Sequence, residues 1–250
     1  MQAPLSLTKF KSIIEQNQNG SGDLVIIEGI HAVKHALRFK TKPELLITKN
    51  REDLLKLSDK LCPDLNSQFK KATELKDFDK LSISKIRTEV LGVFKKPKTP
   101  SPLGEGWDEG FKVLLDNPRD LNNIGAVIRV CAAAGIKNLI VTGDSNPWNS
   151  RAIRAAAGLQ FAMKITKLNP EEITKLNLPL ISFDERGKDL DYKLKDRIPN
   201  NAILIFGSER DGISQELKLN TDLIVRLPMQ KNVSSLNLAT SVAAALYSLK

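Results

Sequence analysis

Five short apolar runs dominate the second half of the chain: FKVLLD (111–116), NLIVT (138–142), PLISF (179–183), NAILIF (201–206) and DLIVRL (222–227). None is long enough for a core helix, and none alternates apolar with polar. Each therefore predicts a strand buried on both faces, the pattern of a parallel sheet. Helical segments are predicted between them at about 122–134, 150–157 and 170–175, and after them at about 236–248. This alternation predicts an α/β domain with a mostly parallel sheet. A smaller alternation precedes it. DLVIIEG (23–29), ELLITK (44–49) and TEVLGVFKK (88–96) read as strands, IHAVKHALRF (30–39) and REDLLKLSDKL (51–61) as helices. The stretch KKPKTPSPLGEGWDEG (95–110) is rich in Pro, Gly and charge and lacks apolar periodicity, so it reads as a linker. The expected organisation is a small α/β domain at 1–98, a linker at 99–110 and a larger α/β domain at 111–250.

The hydrophobic fraction of 41% is that of a globular chain. No apolar run reaches membrane-span length, and the N-terminus has no signal-peptide core. Cys62 and Cys131 lack metal-ligand spacing and suit a reducing compartment as free thiols, so a cytoplasmic location is expected. The formal net charge of +9 is uneven. Residues 1–98 hold 19 Lys+Arg against 12 Asp+Glu, and residues 99–250 hold 19 against 17. A positive field concentrated in the first part favours a polyanionic partner such as nucleic acid, through counterion release. Aromatics make up 5% of the chain, too few for recognition by extended base stacking; Trp107 and Trp148 read as packing or dimer anchors. His31 and His35 stand one helical turn apart, but no third ligand accompanies them, so no metal is expected.

Three segments after strands are more polar than packing requires. In LLDNPRDLNNIGAVIRVCAAAGI (114–136), Asn123 stands where a helix N-cap is expected, and Arg129 follows Gly125 by about one turn. In ILIFGSERDGISQEL (203–217), a strand runs into Gly207, and Glu209, Arg210 and Asp211 separate it from Gly212. A glycine-rich turn at the carboxyl end of a parallel strand is a common ligand site, though this one is neither the dinucleotide fingerprint nor a P-loop. In RLPMQKNVSSLNLATSVAAALYSLK (226–250), Ser234, Ser235 and Asn237 are candidate caps for a final helix. That helix carries Ala239, Ala243, Ala244 and Ala245, a small face that admits close approach of another backbone.

Taken in order, RDLNNIGAVIRVCAAAG, IFGSERDGIS and LPMQKNVSSLNLATSVAAAL resemble the three motifs of the SPOUT-class RNA ribose methyltransferases, the SpoU or TrmH-like family. NPWNSRAIRAAAGLQFAMKI (146–165), with Arg154 and Gly158, is similar to a further family segment. IIEGIHAVKHAL resembles the family's substrate-binding domain, which is L30e-like. The resemblance implies a C-terminal domain with a deep trefoil knot, which would account for the small final helix. It implies S-adenosylmethionine as cofactor, held at Gly207, Leu227, Met229 and Leu236, and a catalytic set of Asn123, Arg129, Glu209, Ser235 and Asn237. It further implies a homodimer with active sites at its interface. The reaction would be methyl transfer to a ribose 2′-hydroxyl, with structured RNA as substrate. The accessory domain favours ribosomal RNA, and transfer RNA is the alternative. A non-catalytic RNA-binding protein on the same scaffold, and a base or protein methyltransferase, are the competing readings. Because arginine stays protonated, Arg129 is expected to orient the substrate rather than act as a base. The chain departs from the family pattern at Leu121, where proline is usual, and at Arg210 and Lys231, where glycine is usual.

Overall fold

In the computed structural model, residues 10, 12–13, 15, 22–39, 41–76, 78–81, 88–99, 107, 110–233 and 235–250 are described. Most of the expected linker, and Ser234 among the candidate caps, lie outside them. Contacts divide the chain into two compact units: Met1–Pro97 with Trp148–Ala162, and Lys98–Pro147 with Met163–Lys250. Residues 148–162, which fall inside the range expected for the second domain, thus pack with the first.

The first unit is built on four strands, β1 (Leu24–Glu28), β2 (Pro43–Thr48), β3 (Thr73–Glu74) and β4 (Val90–Lys95), in the order β1-β4-β2-β3. The two-residue β3 was not anticipated; it has no apolar run to announce it. Phe10, Ile26, Ile47, Phe78, Leu91 and Val93 form the core. The helix Ile30–Arg38 buries Ile30, Val33, Ala36 and Leu37 along one face. Phe161 packs between Phe94 and Trp148, at ring-centroid distances of 5.5 and 5.3 Å. Gly158 has φ 75°, and a Cβ there would fall 2.4 Å from the Ala32 carbonyl oxygen. Glycine is required twice over, for the left-handed backbone and for the close approach. His35 donates from Nδ1 to the carbonyl of Ala157 at 2.8 Å, so that histidine serves the packing of this segment.

The second unit carries β5 (Lys112–Leu115), β6 (Asn138–Val141), β7 (Lys164–Lys167), β8 (Leu180–Asp189), β9 (Ile203–Phe206) and β10 (Leu223–Arg226). Their order is β10-β8-β9-β5-β6-β7, and every neighbouring pair is parallel. The five anticipated strands are all present. The sixth, β7, was missed because KITK has apolar residues at only part of its length. Leu114, Ile140, Ile203 and Ile205 from the sheet pack with Ile173, Ile213 and Leu217. Among the described residues, no helix is long and apolar enough to cross a membrane. Cys62 and Cys131 are free and buried, and burial pushes the Cys131 thiol well above its usual range.

The helix Leu121–Ala134 is capped by Asp120, whose side chain accepts from Asn122 N, and ends at Gly135 with φ 77°. Asn123 is therefore not the cap but the third helical residue. Asn237 does cap the final helix, Leu238–Ser248, which packs on Leu121–Ala134. Its buried face carries Leu238, Val242, Ala245 and Leu246. Only Ala245 of the alanines is fully buried; Ala239, Ala243 and Ala244 are partly exposed. At about 100° per residue, Ala244 falls far round the helix from the Leu238–Val242 face.

β8 is longer than the predicted run and irregular. Ile224 of β10 pairs with Ser182 and Val225 with Lys188, so residues 183–187 loop out of the register. A Cβ on Gly187 would fall 2.6 Å from the Val225 carbonyl carbon, so the strand regains its partner only through a glycine. Within the bulge Arg186 donates to both Asp184 oxygens, at 3.0 and 3.2 Å, and Lys218 lies 3.4 Å from the same carboxylate. The Arg186 hydrogen bonds, with Lys218 adding charge, hold the Asp184 carboxyl well below its ordinary value, at about 2.

Two outcomes follow from this packing. Ala245→Leu adds atoms to a filled helix face and should destabilise the fold by about 1–3 kcal/mol in urea denaturation; an unchanged midpoint would mean that this face is not packed. Because the folded Asp184 pKa is depressed, its contribution is present above the unfolded value and is lost as pH falls from about 4 through the folded value. Asp184→Asn has no such contribution to lose. Its stability should fall less steeply than wild type over that window, and equal slopes would contradict the depressed pKa.

Candidate functional site

The chain leaves β8, β9 and β10 on the same side of the sheet, because the three strands are adjacent and parallel. The segments that follow them surround a cleft of ≈ 390 Å³, within the usual range for small-molecule sites. The aromatic part of its wall is Phe183 on Phe206, stacked with centroids 4.8 Å apart and planes at 9°. Leu227, Met229, Leu236 and Leu238 add apolar surface, and Ser235 and Ser241 add hydroxyls.

The turn after β9 is held at both ends. Ser208 and Gly212 exchange backbone hydrogen bonds, N to O at 3.1 and 3.0 Å, and Asp211 N donates to Ser208 Oγ at 3.2 Å. A Cβ on Gly207 would lie 2.1 Å from the Gly212 carbonyl carbon. Gly207 is thus demanded by the chain folding back on itself, a stronger requirement than room for a ligand. Downstream, Ser214 N donates to Asp116 Oδ2 at 2.6 Å. Asp116 is buried and accepts on its other oxygen from Thr142 Oγ1 at 2.7 Å. One carboxylate therefore ties the ends of β5 and β6 to the turn that lines the cleft.

All four residues expected at a cofactor site, Gly207, Leu227, Met229 and Leu236, line this cleft, as do Glu209 and Ser235 of the expected catalytic set. Asn123 and Asn237 do not line it but reach it in a relay. Asn237 Nδ2 donates to Asn123 Oδ1 at 3.0 Å, and Asn123 Nδ2 donates to Glu209 Oε1. Asn237 uses its own oxygen to cap the final helix through Ala239 N. The relay joins the start of both long helices to the β9 turn. Arg129 stands apart. Six residues beyond Asn123, it has turned about 240° around the helix and moved about 9 Å along it. It is exposed, does not line the cleft, and has no hydrogen bond or ion pair among the described residues.

Sequence reasoning missed the bulge at 183–187, together with Lys218, Arg226 and the Asp116 anchor. The first had a usable signal: DERGKD follows a predicted parallel strand at its carboxyl end, where α/β ligands bind. Arg226 also pairs with Asp189 across β8 and β10, at 2.6 and 3.0 Å. Asp116 and Thr142 had no signal, because each looks like an ordinary strand-end polar residue.

Comparison with known proteins adds to this geometry. The chain is 33% identical over 172 residues to ribosomal RNA small subunit methyltransferase G 2 of Syntrophobacter fumaroxidans, covering 68% of this chain and 33% of that protein. It is 30% identical over 171 residues to the 23S rRNA (adenosine(1067)-2′-O)-methyltransferase of Streptomyces laurentii, covering 64% of this chain and 62% of that one. The chain thus spans less than two thirds of the length of either. The crystal structure of an AdoMet-bound rRNA methyltransferase from Sinorhizobium meliloti shares the fold, with a TM-score of 0.75 at 24% identity over 98% of this chain and 95% of the other. The model of the SpoU rRNA Methylase family matches residues 110–247, a range that takes in most of the unit holding the cleft and also the segment 148–162. With more than half of its length matched by that model, the chain belongs to the SpoU rRNA methylase family.

Proposed function

We propose that this protein transfers a methyl group from S-adenosylmethionine to a ribose 2′-hydroxyl of a structured RNA, ribosomal RNA in preference to transfer RNA. The observation that carries the reading is the convergence of Gly207, Leu227, Met229 and Leu236 on one cleft, with Glu209 and Ser235 beside them. The activity for which the Streptomyces laurentii relative is named, 2′-O-methylation of ribosomal RNA, agrees with it.

The cleft fits the cofactor in size and in its mixture of aromatic wall and strand-end backbone. Gly207, Leu227, Met229 and Leu236 would hold it, and when bound it supplies an electrophilic methyl on a sulfonium sulfur. The protein's own task is to present a weak nucleophile. The ribose hydroxyl must release its proton as its oxygen attacks. Asn123 occupies one Glu209 oxygen, leaving the other for a substrate hydroxyl, and Ser235 offers a second hydrogen-bonding group. The Asn237–Asn123–Glu209 relay fixes that carboxylate before substrate arrives, which lowers the cost of ordering it.

Arg129 enters this scheme through a second copy of the chain. It lies on the exposed side of its helix, so a homodimer packed on that side would bring it to a cleft, where it orients a phosphate as a permanent cation. The knot is proposed on similar grounds: the chain end returns from the edge strand β10 to pack on Leu121–Ala134. Residues 1–98, with most of the positive charge, are proposed as an L30e-like RNA-binding domain, joined to the 111–250 methyltransferase domain by the 99–110 linker. A cytoplasmic setting agrees with an RNA substrate and two free thiols.

The test is incubation with unmodified ribosomal RNA and isotope-labelled S-adenosylmethionine, then nuclease digestion and mass spectrometry to locate the methyl. Label on a base, or no label, would refute the reading. In the same assay Arg129→Ala should lower methyl transfer by about 10²-fold or more while calorimetric affinity for S-adenosylmethionine stays within a few-fold. Full residual activity would remove Arg129 from the mechanism.

A further inference from the structure

The turn Glu209–Arg210–Asp211 holds two acids and one base at the mouth of the cleft. Both acids are engaged by the segment that opens the long helix. Glu209 accepts from Asn123, and Asp211 accepts from Arg119 at 2.7 Å. Arg210, between them, is exposed and has no hydrogen bond or ion pair among the described residues. Neither neighbouring carboxylate pairs with it: Glu209 takes the neutral amide of Asn123, and Asp211 takes the Arg119 guanidinium. The turn is closed by the Ser208–Gly212 backbone pair and anchored through Ser214 to Asp116.

We infer that Arg210 is a substrate-gripping residue, its guanidinium binding a phosphodiester of the RNA next to the ribose presented to the cleft. This rests on the RNA reading of the site. A guanidinium keeps its charge at every working pH and matches a phosphate with two parallel donors. A cation held on a preformed turn loses little freedom when the anion arrives. The anion is assigned to RNA rather than to the cofactor's carboxylate because of depth. Gly207, at the strand end, is partly buried, whereas Arg210 stands at the exposed tip of the turn, where a polymer crossing the mouth would meet it. Arg210 is thus a determinant of how this chain seats its substrate, distinct from the residues assigned to the cofactor.

The experiment compares full-length wild type, Arg210→Gln and Arg210→Lys. Binding to an unmodified ribosomal RNA transcript is measured across a salt series, methyl transfer is measured on the same RNA, and S-adenosylmethionine affinity is measured by calorimetry. Arg210→Gln should reduce the slope of log K against log salt by about 0.7–0.9, the value of one phosphate contact. It should raise KM for RNA several-fold with kcat within about twofold, since the contact is uniform binding. Arg210→Lys should keep the wild-type slope and recover part of the affinity. Cofactor affinity should not move. An unchanged slope and KM in Arg210→Gln, with active wild type, would overturn this inference alone. Weakened S-adenosylmethionine binding would reassign Arg210 to the cofactor. A wild type that does not bind the RNA would overturn both this inference and the function proposed above.

Discussion

Every neighbouring pair in the larger sheet is parallel, and the site depends on that constraint. Parallel strands all end on the same side, so the segments leaving adjacent strands must meet there. Here β10, β8 and β9 are neighbours, and the cleft is what their three exits enclose. The strands are consecutive in sequence but not in space: β8 lies between the other two. Its register with β10 breaks at Ile224, and the extra residues 183–187 spill into the opening as one of its walls.

Three short-range contacts then convert an opening into a shaped site. Gly207 lets the β9 turn close on the Gly212 backbone. Asp116 accepts from Ser214 and Thr142, so the turn cannot drift from the ends of β5 and β6. Asn123 links Glu209 to the long helix and, through Asn237, to the last one. A satisfied hydrogen bond contributes only about 1 kcal/mol net to stability. The value of these contacts here is in fixing one geometry rather than in stability. Glu209 and Asp211 take other partners, so Arg210 on the same turn has no ion pair among the described residues.

The sequence made the strands and both long helices legible, because buried parallel strands are continuous apolar runs and long helices carry caps and periodicity. It did not reveal β3, which has two polar residues, nor β7, whose KITK is too short and too polar to stand out, nor the irregular extension of β8. From sequence alone, the alanine-rich final helix presents a broad small face open to close packing. Only Ala245 is so placed, since a helix turns its residues about 100° apart and Ala239, Ala243 and Ala244 come round to partly exposed positions.

The motif residues show the same division. Resemblance to the family motifs pointed to Gly207, Glu209, Leu227, Met229, Ser235 and Leu236, all of which line the cleft; the first four lie within three residues of a strand end, where local covalent distance keeps them near it. What lay farther along a helix was decided by its phase: Asn123 reaches Glu209, while Arg129, six residues on, is exposed and does not line the cleft. Partnership across long stretches of chain was invisible in the sequence. Ser214 with Asp116, Arg119 with Asp211, and the packing of Trp148–Ala162 with the first unit depend on which backbone segments the sheet brings side by side. The sequence by itself determined the family, the parallel strands and the identity of the residues at their ends, because these are local patterns of burial and spacing. Only the tertiary structure decided which charged side chains find partners, because that depends on distances between residues far apart in the chain.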